Sequence, residues 1–269
     1  MINKIKTQAV NFVLTFMIPM FLVQLLPIIL WLITCVFLND NFFDEKYILT
    51  ASIVAALMGI LYSICIMRKT KTQEFSTQVP KIHIMIGIGI VLLAFLFVDQ
   101  VLSVWILNNI ADPGMAERTA SLNAMDVQQN LLLYVLYALI IAPISEEFIF
   151  RIALYPYLKK SMNWMLAMLF TSIAFGAIHM TTTHLITATL FGMVLILILE
   201  KTKCIWITII CHIFYNMSVL FLDMGMIASL AENDLIVFLL TFGLVALLFG
   251  YIAKQETLKE MKEFSEIQE

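Results

Sequence analysis

Glu146 and Glu147 are neighbouring carboxylates in a stretch that is otherwise apolar enough for a membrane, and Arg151 follows one helical turn later. Two more apolar stretches carry one histidine each: His179 in FGAIH, and His212 in HIFYN, which also supplies Asn216. Ionisable groups are costly inside a bilayer and usually mark a functional site there. On a helix Glu147 and Arg151 share a face and can pair. Glu146 points about 100° away from that face. It is therefore the carboxylate left to act as a general base or a metal ligand.

Phe175 and His179 are spaced to share a helical face, and Gly176 between them lets another helix come close. His212 and Asn216 have the same spacing, so an imidazole and a carboxamide project together. Such a pair can ligate a metal or donate to a developing oxyanion. Glu146, His179 and His212 together make a set of two histidines and one carboxylate. That set suits a catalytic metal with open positions, and it equally suits a metal-free general base with oxyanion donors. The residues leave both open. The structural alternatives are an inner-end ion cluster with Arg151 snorkelling and interhelical polar clamps at the histidines.

The elements that must position these groups are transmembrane helices. The 269-residue chain is 62% hydrophobic and 13% charged, with mean hydropathy +0.96. A soluble domain rarely exceeds about 50% apolar residues. The apolar runs are continuous rather than alternating, which argues against a membrane β-barrel. Cys35, Cys65, Cys204 and Cys211 show no CxxC spacing and read as packing residues. The expected fold is an all-α polytopic bundle in a single integral membrane domain, residues 1–269. Its eight spans are Ala9–Leu38, Tyr47–Met67, Ile84–Ile110, Leu131–Leu158, Trp164–His179, Leu185–Leu199, Ile205–Leu222 and Leu235–Ala253. Pro27 is expected to kink the first, and residues 254–269 form a charged tail.

Of the 16 Lys and Arg residues, only Lys46 and Arg118 fall on the side opposite the N-terminus in this plan. That bias predicts both termini in the cytoplasm. Counted at about 1.5 Å per residue, His212 stands about 13 Å above Lys203, Glu146 about 20 Å above Lys159 and His179 about 28 Å above Lys160. Tilted or staggered helices are needed to bring them together. Asp99 and Gln100 also fall within a span, where a structural role is favoured over a functional one. His83 and His184 lie near span ends and read as interfacial.

The ordered trio E146-E147-F-I-F-R151, F175-G-A-I-H179 and H212-I-F-Y-N216 resembles the CAAX protease and bacteriocin-processing family of intramembrane endopeptidases, also called the Abi family. Its pattern is EExxxR, FxxxH and HxxxN on separate helices, and the resemblance covers about Gln129 to Leu222. It implies that Glu146, helped by His179, activates the attacking water. His212 and Asn216 would stabilise the oxyanion or complete a metal site. Glu147 and Arg151 would hold their helix in place, and Phe175 would pack beneath the site. A divalent metal such as zinc is one implied cofactor, and a metal-free glutamate mechanism is the other. The implied substrates are lipidated or amphipathic membrane peptides, with roles in pheromone or bacteriocin maturation or self-immunity. The expected partners are the lipid bilayer and such a peptide, not nucleic acid, and the expected location is a bacterial plasma membrane. A non-catalytic immunity or regulatory scaffold of the same fold is the alternative, and a transporter or proton relay ranks below it. HExxH, GxGD and GxSxG are all missing, which disfavours the other intramembrane protease classes.

Overall fold

In the computed structural model the described residues are 13, 17–38, 45–70, 80–114 and 131–221, and their regular structure is helical throughout. The expected eighth span, Leu235–Ala253, and the tail lie outside them. Helices α1 (Ile18–Gln24) and α2 (Leu26–Leu38) form one apolar stretch broken at Leu25. The break precedes Pro27, which has no N–H to offer the carbonyl of Val23. Then come α3 (Glu45–Thr70) and α4 (Ile82–Asn109).

The next helix, α5, is not a regular α-helix. It runs through Leu131–Leu136, a π-helical Tyr137–Ile141, Ala142–Glu147, a π-helical Phe148–Leu154 and Tyr155–Lys159. A proline, Pro143 or Pro156, lies shortly beyond each π segment. Proline lacks the donor that the α ladder needs and crowds the preceding turn, so a local change of winding absorbs it.

Helix α6 (Trp164–Ala177) starts where Asn163 Oδ1 accepts from Leu166 N–H at 2.8 Å. Helix α7 (Thr182–Thr202) starts where Thr181 Oγ1 accepts from His184 N–H at 3.1 Å. Both are side-chain N-caps. Lys203, in the left-handed region at φ 54°, turns the chain into α8 (Ile205–Phe221).

Four described helices are long and apolar enough to cross a membrane: Leu49–Arg68, Ile82–Asn109, Leu132–Lys159 and Thr182–Thr202. Helix α6 has 14 residues and α8 has 17. At 1.5 Å per residue the former reaches only about 21 Å, short of the roughly 30 Å hydrocarbon core. The shortness of α6 also removes much of the height that separates His179 from Glu146 in an upright count.

The packing suits a lipid solvent. Leu61, Ile90 and Ile210 are exposed on outer faces, while Ser63, Thr171, Ser172 and Thr208 are fully buried. Phe95, Phe150, Phe175 and Phe191 fill the core between α4, α5, α6 and α7. Cys204 and Cys211 are buried as expected of packing residues, whereas Cys65 is exposed; all three are free thiols.

Helices α6 and α7 pack against each other most extensively. Gly176 makes their approach possible, because a Cβ there would lie 2.6 Å from the Leu185 carbonyl oxygen. Backbone cannot yield as a flexible side chain does. Gly176→Ala is therefore expected to destabilise the protein by about 1–3 kcal/mol, the usual cost of overpacking, read as a lowered midpoint of thermal unfolding in detergent.

Candidate active site

The carboxylates come from the short α-helical piece between the two π segments of α5. Glu147 and Arg151 pair as their spacing predicts, with Nη1 and Oε1 3.3 Å apart and both side chains fully buried. Arg151 therefore does not snorkel, and an ion cluster at an inner helix end is not what forms. Its guanidinium instead lies over the Phe175 ring, 4.4 Å from the centroid. This is a cation–π contact in a desolvated setting, where such contacts are strongest.

His212 sits between the two glutamates. Its Nδ1 is 2.9 Å from Glu147 Oε1, and its Nε2 is 3.5 Å from Glu146 Oε2. Glu147 is paired with Arg151 and so acts as an acceptor, which assigns the Nδ1 proton to His212. Nε2 is then the reactive nitrogen, and it faces Glu146. The Glu146 side chain is 15% exposed and that of Glu147 is 0% exposed. Only Glu146 can meet water or substrate. Phe175 and Phe191 hold the imidazole with edge-on contacts at 5.7 and 5.3 Å.

His179 lies in the turn just beyond α6. Its Nδ1 is 3.0 Å from the Phe175 carbonyl oxygen. A carbonyl can only accept, so Nδ1 carries the proton here too. The His179 ring meets the Phe175 ring edge-on at 5.3 Å and stacks on His184 at 5.6 Å, 15° from parallel. Phe175 thus contacts both histidines and Arg151, a larger part than packing beneath the site. His184, expected near a span end, lies in the first turn of α7 and is the neighbour of His179.

Asn216 has a different partner from the one its spacing suggests. Its Nδ2 donates to the Ala138 carbonyl at 3.1 Å. In a π turn the carbonyl of residue i accepts from residue i+5. For Ala138 that residue is Pro143, which has no N–H. The Asn216 carboxamide supplies the missing donor and ties α8 to α5.

Of the expected ligand set Glu146, His179 and His212, Glu146 Oε2 and His212 Nε2 come within 3.5 Å of each other. Among the described residues no three His, Cys, Asp or Glu side chains are grouped to hold a metal ion.

The turn carrying His179 is held from outside the motif segment. Asp112, just after α4, accepts from Thr182 N–H at 3.1 Å, Thr183 N–H at 2.8 Å and the Thr183 hydroxyl at 2.7 Å. A Cβ on Gly114 would lie 3.3 Å from Thr181 Cα, so this loop lies directly against the turn. The ADPG at 111–114 is legible in the sequence as part of a loop but not as a cap for a distant helix. Asp112→Ala is expected to cost about 0.5–2 kcal/mol, as for other lost N-caps. The measurement is thermal unfolding, with Asp112→Asn retaining part of the stability.

A membrane-embedded helical bundle with a paired carboxylate site defines the class: an integral, multi-pass membrane protein. Residues 128–218 match the family described as type II CAAX prenyl endopeptidase Rce1-like. Over 110 residues the chain is 30% identical to a Bacillus subtilis (strain 168) protein described as "Putative membrane peptidase YdiL". That alignment covers 41% of this chain and 45% of the relative, so the chain spans about half the length of the relative it matches. No solved structure matches it. Both matches support a likeness to the CAAX protease and bacteriocin-processing family over part of the chain.

Proposed function

We propose that the protein is an intramembrane endopeptidase that hydrolyses peptide bonds of lipidated or amphipathic membrane peptides. The observation that carries this reading is the His212 imidazole between one fully buried, Arg-paired carboxylate and one partly exposed carboxylate. That is an acid–base pair with a built-in orienting group, the arrangement a general base needs.

Glu146 takes a proton from water as the water oxygen attacks the scissile carbonyl carbon. Negative charge develops on the carbonyl oxygen. A donor at His179 Nε2, with Nδ1 held by the Phe175 carbonyl, offsets that charge when the ring is protonated. Collapse of the tetrahedral intermediate breaks the C–N bond, and the proton held between Glu146 and His212 Nε2 passes to the leaving nitrogen. Glu147, fixed by Arg151, stabilises the imidazolium that forms in transit. Asn216 anchors α8 against α5, which sets the height of His212 one turn away.

An active site among apolar helices fits a substrate that partitions into lipid. With the excess of Lys and Arg at the expected inner ends, the termini are assigned to the cytoplasm of a bacterial plasma membrane. Peptide pheromone or bacteriocin maturation, or self-immunity, are biological settings consistent with such a substrate.

The test uses protein purified in detergent, incubated with a panel of prenylated and short amphipathic peptides and read by mass spectrometry. Wild type is expected to cut at least one peptide at a defined bond, and Glu146→Gln to leave it whole. Equal product from both proteins would sink the reading.

A further inference from the structure

We propose that Asp99 and Tyr215 form a positioning pair that keeps the His212 imidazole aligned between Glu146 and Glu147. The inference rests on the reading of His212 as part of the site. Asp99 lies on α4, outside the segment that matches the family. It is 3% exposed. Its Oδ2 accepts from the Tyr215 hydroxyl at 2.7 Å, with Gln100 Nε2 3.5 Å away, and its Oδ1 is buried without a hydrogen-bond partner. A buried carboxyl with half its acceptor capacity unused is expensive. The position of Tyr215 explains what the carboxyl holds.

Tyr215 stands one helical turn after His212 on α8 and directly before Asn216. Its ring lies on Phe191, centroids 4.0 Å apart and 22° from parallel. Phe191 in turn presents its ring against His212 at 5.3 Å and 79°. Phe95, fully buried on α4, stacks on Phe191 at 5.5 Å. The phenol is thus a wedge that fixes one of the two aromatic walls of the imidazole. The hydroxyl bond to Asp99 is what fixes the wedge. Without it the phenol is free to rotate, Phe191 relaxes into the space, and His212 loses one of its two aromatic contacts. Asp99 acts through Tyr215 and Phe191 and touches no reacting atom, so it is a positioning residue.

The test uses full-length protein and four variants: Tyr215→Phe, Asp99→Leu, their combination, and Asp99→Asn. The chain has 4 histidines, so ¹⁵N-histidine labelling gives a spectrum of four imidazoles, with His212 assigned by His212→Gln. Tyr215→Phe and Asp99→Leu are expected to shift or broaden the His212 signals and to lower kcat on the order of 10²-fold, the scale of a small misplacement, with KM little changed. The combined variant should be no worse than either alone, because both remove one bond. Asp99→Asn should restore the wild-type His212 signals and most of kcat, since its carboxamide oxygen accepts the same hydroxyl. Wild-type His212 signals in Tyr215→Phe would overturn the proposal. So would an Asp99→Asn spectrum as disturbed as that of Asp99→Leu, which would assign the effect to charge rather than to the acceptor. The spectra report on the pair whether or not any peptide is cleaved. Absence of cleavage by wild type would thus count against the proposed function and leave the pair to be judged by the spectra.

Discussion

Glu146→Gln is expected to slow peptide cleavage by about 10²- to 10⁴-fold, the share of a rate that a well-placed acid or base supplies. The substitution changes almost nothing else. Glutamine has the same length and shape, and its amide can still donate to His212 Nε2 across the 3.5 Å that separates the side chains. Glu146 is the partly exposed carboxylate, 15% against 0% for Glu147, and the isosteric amide keeps its shape, so the midpoint of thermal unfolding should stay near that of wild type. Loss of cleavage at unchanged stability is the signature of a base, because a structural carboxylate would lose both together. The measurement is the initial rate on a peptide that wild type cuts, alongside a melting curve in the same detergent. A Glu146→Gln protein that kept the wild-type rate would remove the base from the mechanism. A biological effect that survived in it would favour a non-catalytic membrane scaffold of the same fold.

The sequence made some of this site legible, and the limits have physical causes. The pairing of Glu147 with Arg151 follows from helical spacing, which is a local property, and the family resemblance is what puts Phe175 beneath the site. Three features do not. The first is that Glu146 and Glu147 both reach His212. Side chains about 100° apart on one helix look divergent, and only a second helix, α8, whose His212 meets both, makes them converge. The second is Asn216. Its partner is set by a π turn ahead of Pro143, and no hydropathy pattern announces a change of winding. The third is the support from outside the motif segment. Asp99 and Tyr215 are separated by 116 residues, and Asp112 caps a helix that starts 70 residues later. Such contacts depend on how helices cross, which composition does not record. The span count suffers similarly. Apolar runs mark where helices can sit in lipid, but α6 shows that such a run can stop short of the full bilayer.

Arg151→Met is expected to be the most destabilising single change in the site. It removes the partner of a fully buried carboxylate, and breaking a buried pair on one side costs about 3–5 kcal/mol. The guanidinium also leaves the Phe175 ring, which it covers at 4.4 Å, so the platform shared by His179 and His212 loses its underside. Arg151→Lys should recover only part of the loss. An ammonium keeps the charge, but it lacks the flat surface that lies on the ring. The informative protein is the double variant Glu147→Gln with Arg151→Met. Replacing both members leaves no buried charge unpaired, and neutral replacement of a buried pair is often tolerated. Its thermal midpoint should rise well above that of Arg151→Met. Its cleavage rate should not recover in step, because Glu147 has two tasks. It neutralises Arg151, and it orients the His212 Nδ1 proton and stabilises the imidazolium formed when Nε2 takes a proton. Glutamine can accept the same hydrogen bond but offers no negative charge to the imidazolium. Recovery of stability without recovery of rate would separate the two tasks. A wild-type melting curve for Arg151→Met would mean that Glu147 is held by something other than the pair, and the case for Glu147 as the fixed anchor of His212 would fall with it.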